Sequence, residues 1–334
     1  MFGPRPTADG PRPLTELTKP LGRLGSVNDP RLLVSIPNDE LRDALRPMAG
    51  PFELITWDMK GPAPVHAIDI VVPPYMGMTE CLANLKGLTV GLIQSQSVGY
   101  DGVADVLPAG MVFANAASVH EASTAELALA LILASQRGIP DFVRAASEGR
   151  WARAWYPSLA DRTVLLVGYG GVGRAVEERL AGFETTVLRV ARTERTYQHG
   201  RVHGLGSLPE LLVRADVVVI CVPLSESTTH LVDDRFLSQM RDGSLLVNVS
   251  RGAVADTAAL VNHARDGRLR LALDVTDPEP LPGDHPLWAL PNVLISPHVG
   301  GATSAMMPRM ARLLEGQIDR MRRGDQPLNV VLRT

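Results

Sequence analysis

TVLLVGYGGVGRAV, residues 163–176, decides the fold of this 334-residue chain. A β-branched run, Thr163 to Val167, meets Gly168-Tyr169-Gly170-Gly171-Val172-Gly173 and then turns helical. Strand, GxGxxG and helix in that order form the dinucleotide-binding fingerprint. Gly168 allows the tight turn, Gly170 lets backbone approach a pyrophosphate, and Gly173 lets the helix pack against the strand. The helix N-terminus then offers free N–H groups and a positive dipole end to phosphates. A lone GxGxxG also occurs in glycine-rich turns, so its flanks carry the weight.

Those flanks repeat the pattern. TTVLRV (185–190), DVVVICV (216–222), SLLVNV (244–249), LRLALDV (269–275) and VLIS (293–296) read as strands. Between them lie a helix capped by Ser207, one capped by Asp233 or Asp234, and one over Thr257–Arg265. Strands apolar on both faces and separated by helices imply a parallel sheet covered on both sides. Upstream, RLLVSI (31–36), LITW (54–57), DIVV (69–72) and TVGLIQ (89–94) read as strands of a smaller α/β domain, with helices near 39–48 and 79–85. AELALALILASQR, 125–137, is apolar nearly all round and is expected to be buried at a domain or subunit contact. The final helix, about 304–323, is expected to return to the first domain. The expected division is a flexible tail over 1–30, a substrate domain from 31–119 and 304–334, and a dinucleotide domain from 120–303. Cofactor and small substrate would meet in the cleft between the two domains.

Composition narrows the function. A net charge of −3 gives no electrostatic footprint for nucleic acid or an anionic membrane. No apolar run has the length of a membrane span, and no signal-peptide core is visible. Residues 1–30 are rich in Pro and Gly. Two cysteines, Cys81 and Cys221, suggest neither a disulfide scaffold nor a zinc site, so the expected setting is the reducing cytoplasm.

Candidate chemistry sits after strands. SQSVGYDGV, 95–103, carries Val98 and Gly99, and a glycine loop there can present N–H groups to a carboxylate; a plain turn is the bland alternative. At the end of the second dinucleotide-domain strand, Ala191 stands where an acid would bind a ribose 2′-hydroxyl. Arg192 and Thr193 follow, and Arg192 can pair with a 2′-phosphate. This favours NADP(H) over NAD(H), with Glu194 as a mild counter-signal. Asn248-Val249-Ser250-Arg251-Gly252 ends the fourth strand, and an arginine there can clamp a carboxylate. Asp256 and Thr257 read as helix caps. Asp274-Val275-Thr276-Asp277-Pro278-Glu279-Pro280 follows the fifth strand, with Glu279 fixed between prolines. Ser296-Pro297-His298 follows the sixth, and a histidine near an acid can serve as acid or base. His120, His203, His230 and His285 read as ordinary solvated or hydrogen-bonding residues.

GYGGVG, NVSRG, DVTDPEP and SPHVGG, in this order and spacing, resemble the D-isomer-specific 2-hydroxyacid dehydrogenases. The match is good over about 85–303, moderate over 31–84 and absent from the tail. The resemblance implies two Rossmann-like domains: a doubly wound parallel-sheet cofactor domain inserted into a smaller flavodoxin-like substrate domain. It implies that Arg251 binds the substrate carboxylate and carbonyl oxygen, that Glu279 pairs with His298, and that His298 exchanges the proton. Val98 and Gly99 would hold the carboxylate, and Asp274 would sit by the nicotinamide. The expected cofactor contacts are Gly168, Tyr169, Gly170, Gly171, Val172, Gly173, Arg192, Thr193, Val222, Pro223, Asp274 and Thr124. Ala191-Arg192-Thr193 looks like the NADP-using glyoxylate and hydroxypyruvate reductases. Thr276 departs from a common aromatic residue, and the glycine pair after His298 is slightly unusual. Glu279 argues against the formate dehydrogenase branch, which carries Gln there, and the 95–101 loop lacks the lysine of a phosphite oxidiser. The implied activity is reduction of a small 2-oxo acid, in a homodimer joined around residues 120–155. The alternatives are a non-enzymatic NAD(P)-sensing corepressor, since that fold keeps the same catalytic residues, and a dehydrogenase of a larger 2-hydroxy acid.

Overall fold

The computed structural model describes residues 31–47, 50 and 52–334, so the tail expected over 1–30 lies outside the described residues. Five strands precede residue 118: β1 (Leu32–Ile36), β2 (Phe52–Thr56), β3 (Ala67–Val71), β4 (Thr89–Gln94) and β5 (Val112–Ala114). Eight follow: β6 (Thr163–Val167), β7 (Thr186–Val190), β8 (Arg195–Tyr197), β9 (Gly200–Val202), β10 (Val217–Ile220), β11 (Leu245–Asn248), β12 (Arg270–Leu273) and β13 (Val293–Ile295). β14 (Val330–Arg333) ends the chain. The described residues divide into two compact units, one running to Ala117 and resuming at Met307–Thr334, the other Ser118–Met306.

The first unit holds a sheet ordered β14-β5-β4-β3-β1-β2. Without β14 this is the flavodoxin-like order, all parallel. β14 joins antiparallel beside β5. Buried Gln317, on the helix Met306–Arg323, explains the return of the C-terminus. Its amide donates to Gln94 Oε1 (2.6 Å) and to the Leu328 carbonyl (2.9 Å), while its oxygen accepts the Leu328 N–H (2.9 Å). A buried amide with its donors and acceptor matched fixes one register of helix against strand.

The second unit is ordered β13-β12-β11-β10-β6-β7, all parallel. The chain runs outward from β6 to β7, then returns to β10 on the other side of β6. Ligands of doubly wound sheets bind outside the strand ends at such a switch point. Each central strand feeds two cores. Val217 and Val219 of β10, Leu245 and Val247 of β11, and Ala272 of β12 join one. Val218, Ile220, Leu246, Leu271 and Leu273 join the other. Each fully buried aliphatic side chain contributes about 1.5–3 kcal/mol, so these short runs have to be continuous rather than alternating.

The helix Glu121–Gln136 starts four residues before the apolar stretch and packs on the first of these cores, through Ala125, Ala128, Leu129 and Ile132, with the helix Gly171–Leu180. This packing accounts for its burial inside the second unit. Asp233 and Asp256 cap their helices by accepting main-chain N–H groups. Ser207 precedes the helix Leu208–Leu212 but makes no side-chain capping bond, correcting the expected cap; a 3-10 turn, Leu205–Ser207, leads into that helix instead.

Further elements go beyond the sequence reading, among them β5, β14, the helices Val103–Val106 and Ile139–Ser147, and the β8–β9 hairpin. The hairpin strands are three residues each, too short for a period-2 pattern. The hairpin's exit shields the edge of β7, where Ala191 N–H donates to the His203 carbonyl (2.9 Å) and His203 N–H to the Arg189 carbonyl (2.8 Å).

Under the glycine turn lies a buried charge pair. Glu177, on the helix Gly171–Leu180, accepts a two-point contact from Arg189 of β7 and a 2.5 Å hydrogen bond from the Tyr169 hydroxyl. Burial and the bond to Glu177 push that hydroxyl up to about 12, so it stays a donor. Burial alone would raise the Glu177 carboxyl, but the bonds from Arg189 and Tyr169, with the Arg189 charge, hold it below the usual range. Its stabilising effect is therefore complete above the ordinary value of 4.5 and is lost as pH falls through the lowered folded value. Glu177→Gln should cost about 2–4 kcal/mol in denaturant melts at neutral pH, because Arg189 is left buried without its counter-charge. The gap to wild type should narrow as pH falls from about 6 to about 3; a constant gap would show that the pair does not titrate with folding.

Candidate active site

The ends of β6, β7, β10, β11, β12 and β13 carry all the second-unit residues singled out from the sequence except Thr124. Gly168 follows β6 at φ +105°, and a Cβ there would lie 2.6 Å from the Cys221 carbonyl and 2.7 Å from the Val222 nitrogen. Only glycine fits both the backbone angle and this approach to the end of β10. A Cβ on Gly173 would overlap the Gly168 carbonyl oxygen. A Cβ on Gly170 would meet nothing within 4 Å. That open cradle, beside the N-terminus of the helix Gly171–Leu180, fits a dinucleotide pyrophosphate. Gly171 packs against Glu121, whose carboxylate accepts the Ser118 N–H at 2.6 Å. Val172 is partly buried on the core, and Val222 is buried. The Pro223 carbonyl accepts the Thr228 hydroxyl at 2.7 Å.

Beyond β7, Arg192 and Thr193 are exposed. Arg195 of the hairpin donates to the carbonyls of Thr193 (3.1 Å) and Tyr169 (2.8 Å), tying the loop to the glycine turn. Arg201 holds Glu194 through two contacts, 2.7 and 2.9 Å. Arg201, a residue the sequence reading did not single out, is thus the ion-pair partner of Glu194. Arg174 lies over the Tyr197 ring, 5.7 Å from its centroid.

At the end of β11, buried Asn248 shapes the NVSRG turn. Its Oδ1 accepts the Ser250 N–H (3.0 Å) and hydroxyl (2.8 Å), and its Nδ2 donates to the Arg251 carbonyl (3.0 Å). Arg251 Nη1 donates to the Ser250 carbonyl at 2.8 Å. A Cβ on Gly252 would overlap the Thr276 carbonyl, so this turn packs on the loop that carries Glu279. Thr276 itself turns inward on that loop, donating to the Pro278 carbonyl (2.9 Å).

Glu279 and His298, nineteen residues apart in sequence, meet: Glu279 Oε1 lies 2.5 Å from His298 Nδ1. Both are about 41 % exposed. His298 adopts φ +54°, a left-handed angle uncommon for a residue with a Cβ. Asp274 is buried beneath this loop, and Thr124 touches it at Gly300, 3.4 Å from where a Cβ would stand. The geometry provides an accessible imidazole held by a carboxylate, the pattern of an oriented acid or base. In the first unit, Val98 lies in the loop after β4; its carbonyl accepts from Asn115 Nδ2 at 2.9 Å, and Gly99 follows.

A family model described as D-isomer specific 2-hydroxyacid dehydrogenase, NAD binding domain, matches residues 129–300. A glyoxylate reductase of Korarchaeum cryptofilum is 34% identical over 251 residues, 72% of this chain and 75% of that one. Among solved structures, a D-isomer specific 2-hydroxyacid dehydrogenase of Xanthobacter autotrophicus Py2, in complex with NADPH and MES, superposes with a TM-score of 0.77 at 28% identity, covering 90% of this chain and 98% of that one. An NADPH-dependent glyoxylate/hydroxypyruvate reductase of Sinorhizobium meliloti, in complex with NADP and malonate, gives 0.71 at 27% identity, covering 91% and 97%.

Proposed function

The chain belongs to the D-isomer-specific 2-hydroxyacid dehydrogenases, and from that premise we propose that it reduces a small 2-oxo acid of the glyoxylate or hydroxypyruvate type, using NADPH in preference to NADH. The observation that carries this reading is the 2.5 Å contact between Glu279 and His298 at the end of β13. When bound, the cofactor supplies the hydride. Glu279, engaging Nδ1, fixes the imidazole so that Nε2 exchanges the proton with the substrate oxygen. Arg251 clamps the carboxylate and stabilises the oxyanion that develops beside it. We assign further carboxylate binding to main-chain N–H groups at Val98 and Gly99.

The preference for NADPH rests on Arg192 and Thr193, exposed at the end of β7 where no acid takes their place. Glu194 is engaged by Arg201, and Arg189 is engaged by Glu177, so neither enters the balance directly. Arg192 is the residue we assign to the 2′-phosphate.

We also propose a homodimer formed through residues 120–155. Its support is the exposure of large apolar side chains there: Val143 at 64 %, Trp155 at 95 % and Trp151 at 97 %. Clustered exposure of this kind marks a contact surface. We place the protein in the cytoplasm, on the grounds that Cys81 and Cys221 are both free. No helix among the described residues is long and apolar enough to cross a membrane.

The reading is tested by the loss of NADPH absorbance with glyoxylate, hydroxypyruvate, pyruvate, phenylpyruvate and a bulky branched 2-oxo acid. Turnover is expected to be fastest on the smallest acids. His298→Gln should lower kcat by about 10²–10⁴-fold while NADPH Kd changes by less than about threefold. Tight NADPH binding without turnover on any acid would favour a cofactor sensor instead. Arg192→Ala should weaken NADPH binding about 10–100-fold, the value of a charge-assisted phosphate contact, and leave NADH nearly unaffected. Equal losses for both cofactors would return Arg192 to a solvated surface role. Light scattering should give twice the chain mass, and the double variant Trp151→Ser, Trp155→Ser should run as a monomer; a wild-type monomer would remove the dimer.

A further inference from the structure

The loop that carries His298 is wrapped around one buried carboxylate. Asp274 follows β12 and is 3 % exposed. Its N–H donates to the Asn248 carbonyl at the end of β11 (2.9 Å), so its position is set by the neighbouring strand. Its carbonyl oxygen accepts the His298 N–H at 2.7 Å. Oδ1 accepts the Ser296 hydroxyl (2.6 Å) and the Val299 N–H (3.0 Å), and Oδ2 accepts the Gly300 N–H (2.9 Å). Three successive N–H groups, from His298 to Gly300, therefore converge on a single residue. A chain directs consecutive amides to one point only by curling, and His298 pays for the curl with its left-handed φ of +54°. Such an angle at a residue with a Cβ persists only where its surroundings over-determine it. Gly300 completes the arrangement, since a Cβ there would stand 2.9 Å from Asp274 Oδ2.

We propose that Asp274, oriented by the Ser296 hydroxyl, is the positioning residue that imposes the left-handed conformation on His298 and so holds its imidazole against Glu279. The role rests on the reading of His298 as the proton-exchanging group, and it differs from the nicotinamide contact that the family resemblance implies for Asp274. A cofactor contact would show in cofactor affinity. A brace acting through His298 shows in kcat and in the loop itself. The carboxylate is needed because both oxygens accept; the amide of an asparagine would turn one N–H pair toward a donor.

The test joins two measurements on the full chain. Without substrate, amide hydrogen exchange and backbone chemical shifts are followed over His298–Gly300 in Asp274→Asn and in Ser296→Ala. Exchange at Val299 and Gly300 should quicken by about tenfold or more in Asp274→Asn, and the His298 Cα shift should leave the left-handed range, while β12 and β13 stay protected. Ser296→Ala should move the same signals in the same direction by less, and it carries the test if Asp274→Asn does not fold. With NADPH and the best 2-oxo acid, Asp274→Asn should lower kcat by about 30-fold or more with cofactor Kd within about threefold. In a His298→Gln background the same substitution should add almost nothing, because the two residues act as one unit. Unchanged exchange and shifts at 298–300, or an equal kcat loss in both backgrounds, would overturn the proposal. A wild-type protein that turns over no 2-oxo acid would sink the functional reading alone, and the exchange measurement would still decide the role of Asp274.

Discussion

The second unit is governed by a single constraint: its central strands are dry on both faces. β10, β11 and β12 divide their apolar side chains between two cores, where an unpaired polar group is costly. Chemistry is therefore pushed to the strand ends, where the backbone leaves the sheet and its own N–H and C=O groups need new partners. Asn248 and Asp274 are the answer at two adjacent ends. Each is buried, each bonds to the turn that follows or returns to it, and a main-chain bond links them (2.9 Å). The residues that face solvent, Arg251 and His298, are carried by backbone that these two polar side chains have shaped. Rigid loops on a rigid sheet follow from satisfying buried polar groups, with no separate device required.

How far this was legible in the sequence depended on the range of the interaction. The strands of the second sheet were visible because fully buried parallel strands are continuous apolar runs, and the fingerprint glycines because the turn admits little else. The Glu279–His298 pair was reachable only through the resemblance, since nineteen residues separate the partners and no local pattern links them. The β8–β9 hairpin escaped because three-residue strands carry no period. With it went Arg201, the ion-pair partner of Glu194. β14 escaped for a related reason: its place beside β5 is set by Gln317 and Leu328, a buried amide matched to a distant backbone. The left-handed angle at His298 had no signal at all, because it is imposed across 22–26 residues by Asp274.

At the other end of the sheet, the charges near β7 sort by burial. Arg189 faces inward and is consumed by Glu177, with the Tyr169 hydroxyl on the same carboxylate. A buried ion pair of this sort contributes little net energy compared with an apolar pair, but removing one partner is costly. It is better understood as a lock between the first helix of the fingerprint and the second strand. Arg195 adds a second tie, from the hairpin to the Tyr169 carbonyl. The glycine turn and the loop beyond β7 are thereby held to one another, so the residues after Val190 project from a fixed frame rather than from a free loop.

The two carboxylates near His298 show why this loop needs both. Asp274 is saturated: three donors occupy its oxygens, and it is shut from solvent. A carboxylate in that state is a fixed structural support, with both oxygens engaged by the loop it carries. Glu279 is half-exposed and makes a single contact, to Nδ1. It retains acceptor capacity beyond that one contact. In the proposed role, His298 needs a partner for its ring and a separate support for its backbone, and the two carboxylates divide that work. Exchanging the two environments would leave the His298 backbone unsupported in the left-handed region, because a half-exposed carboxylate with one contact cannot gather successive N–H groups.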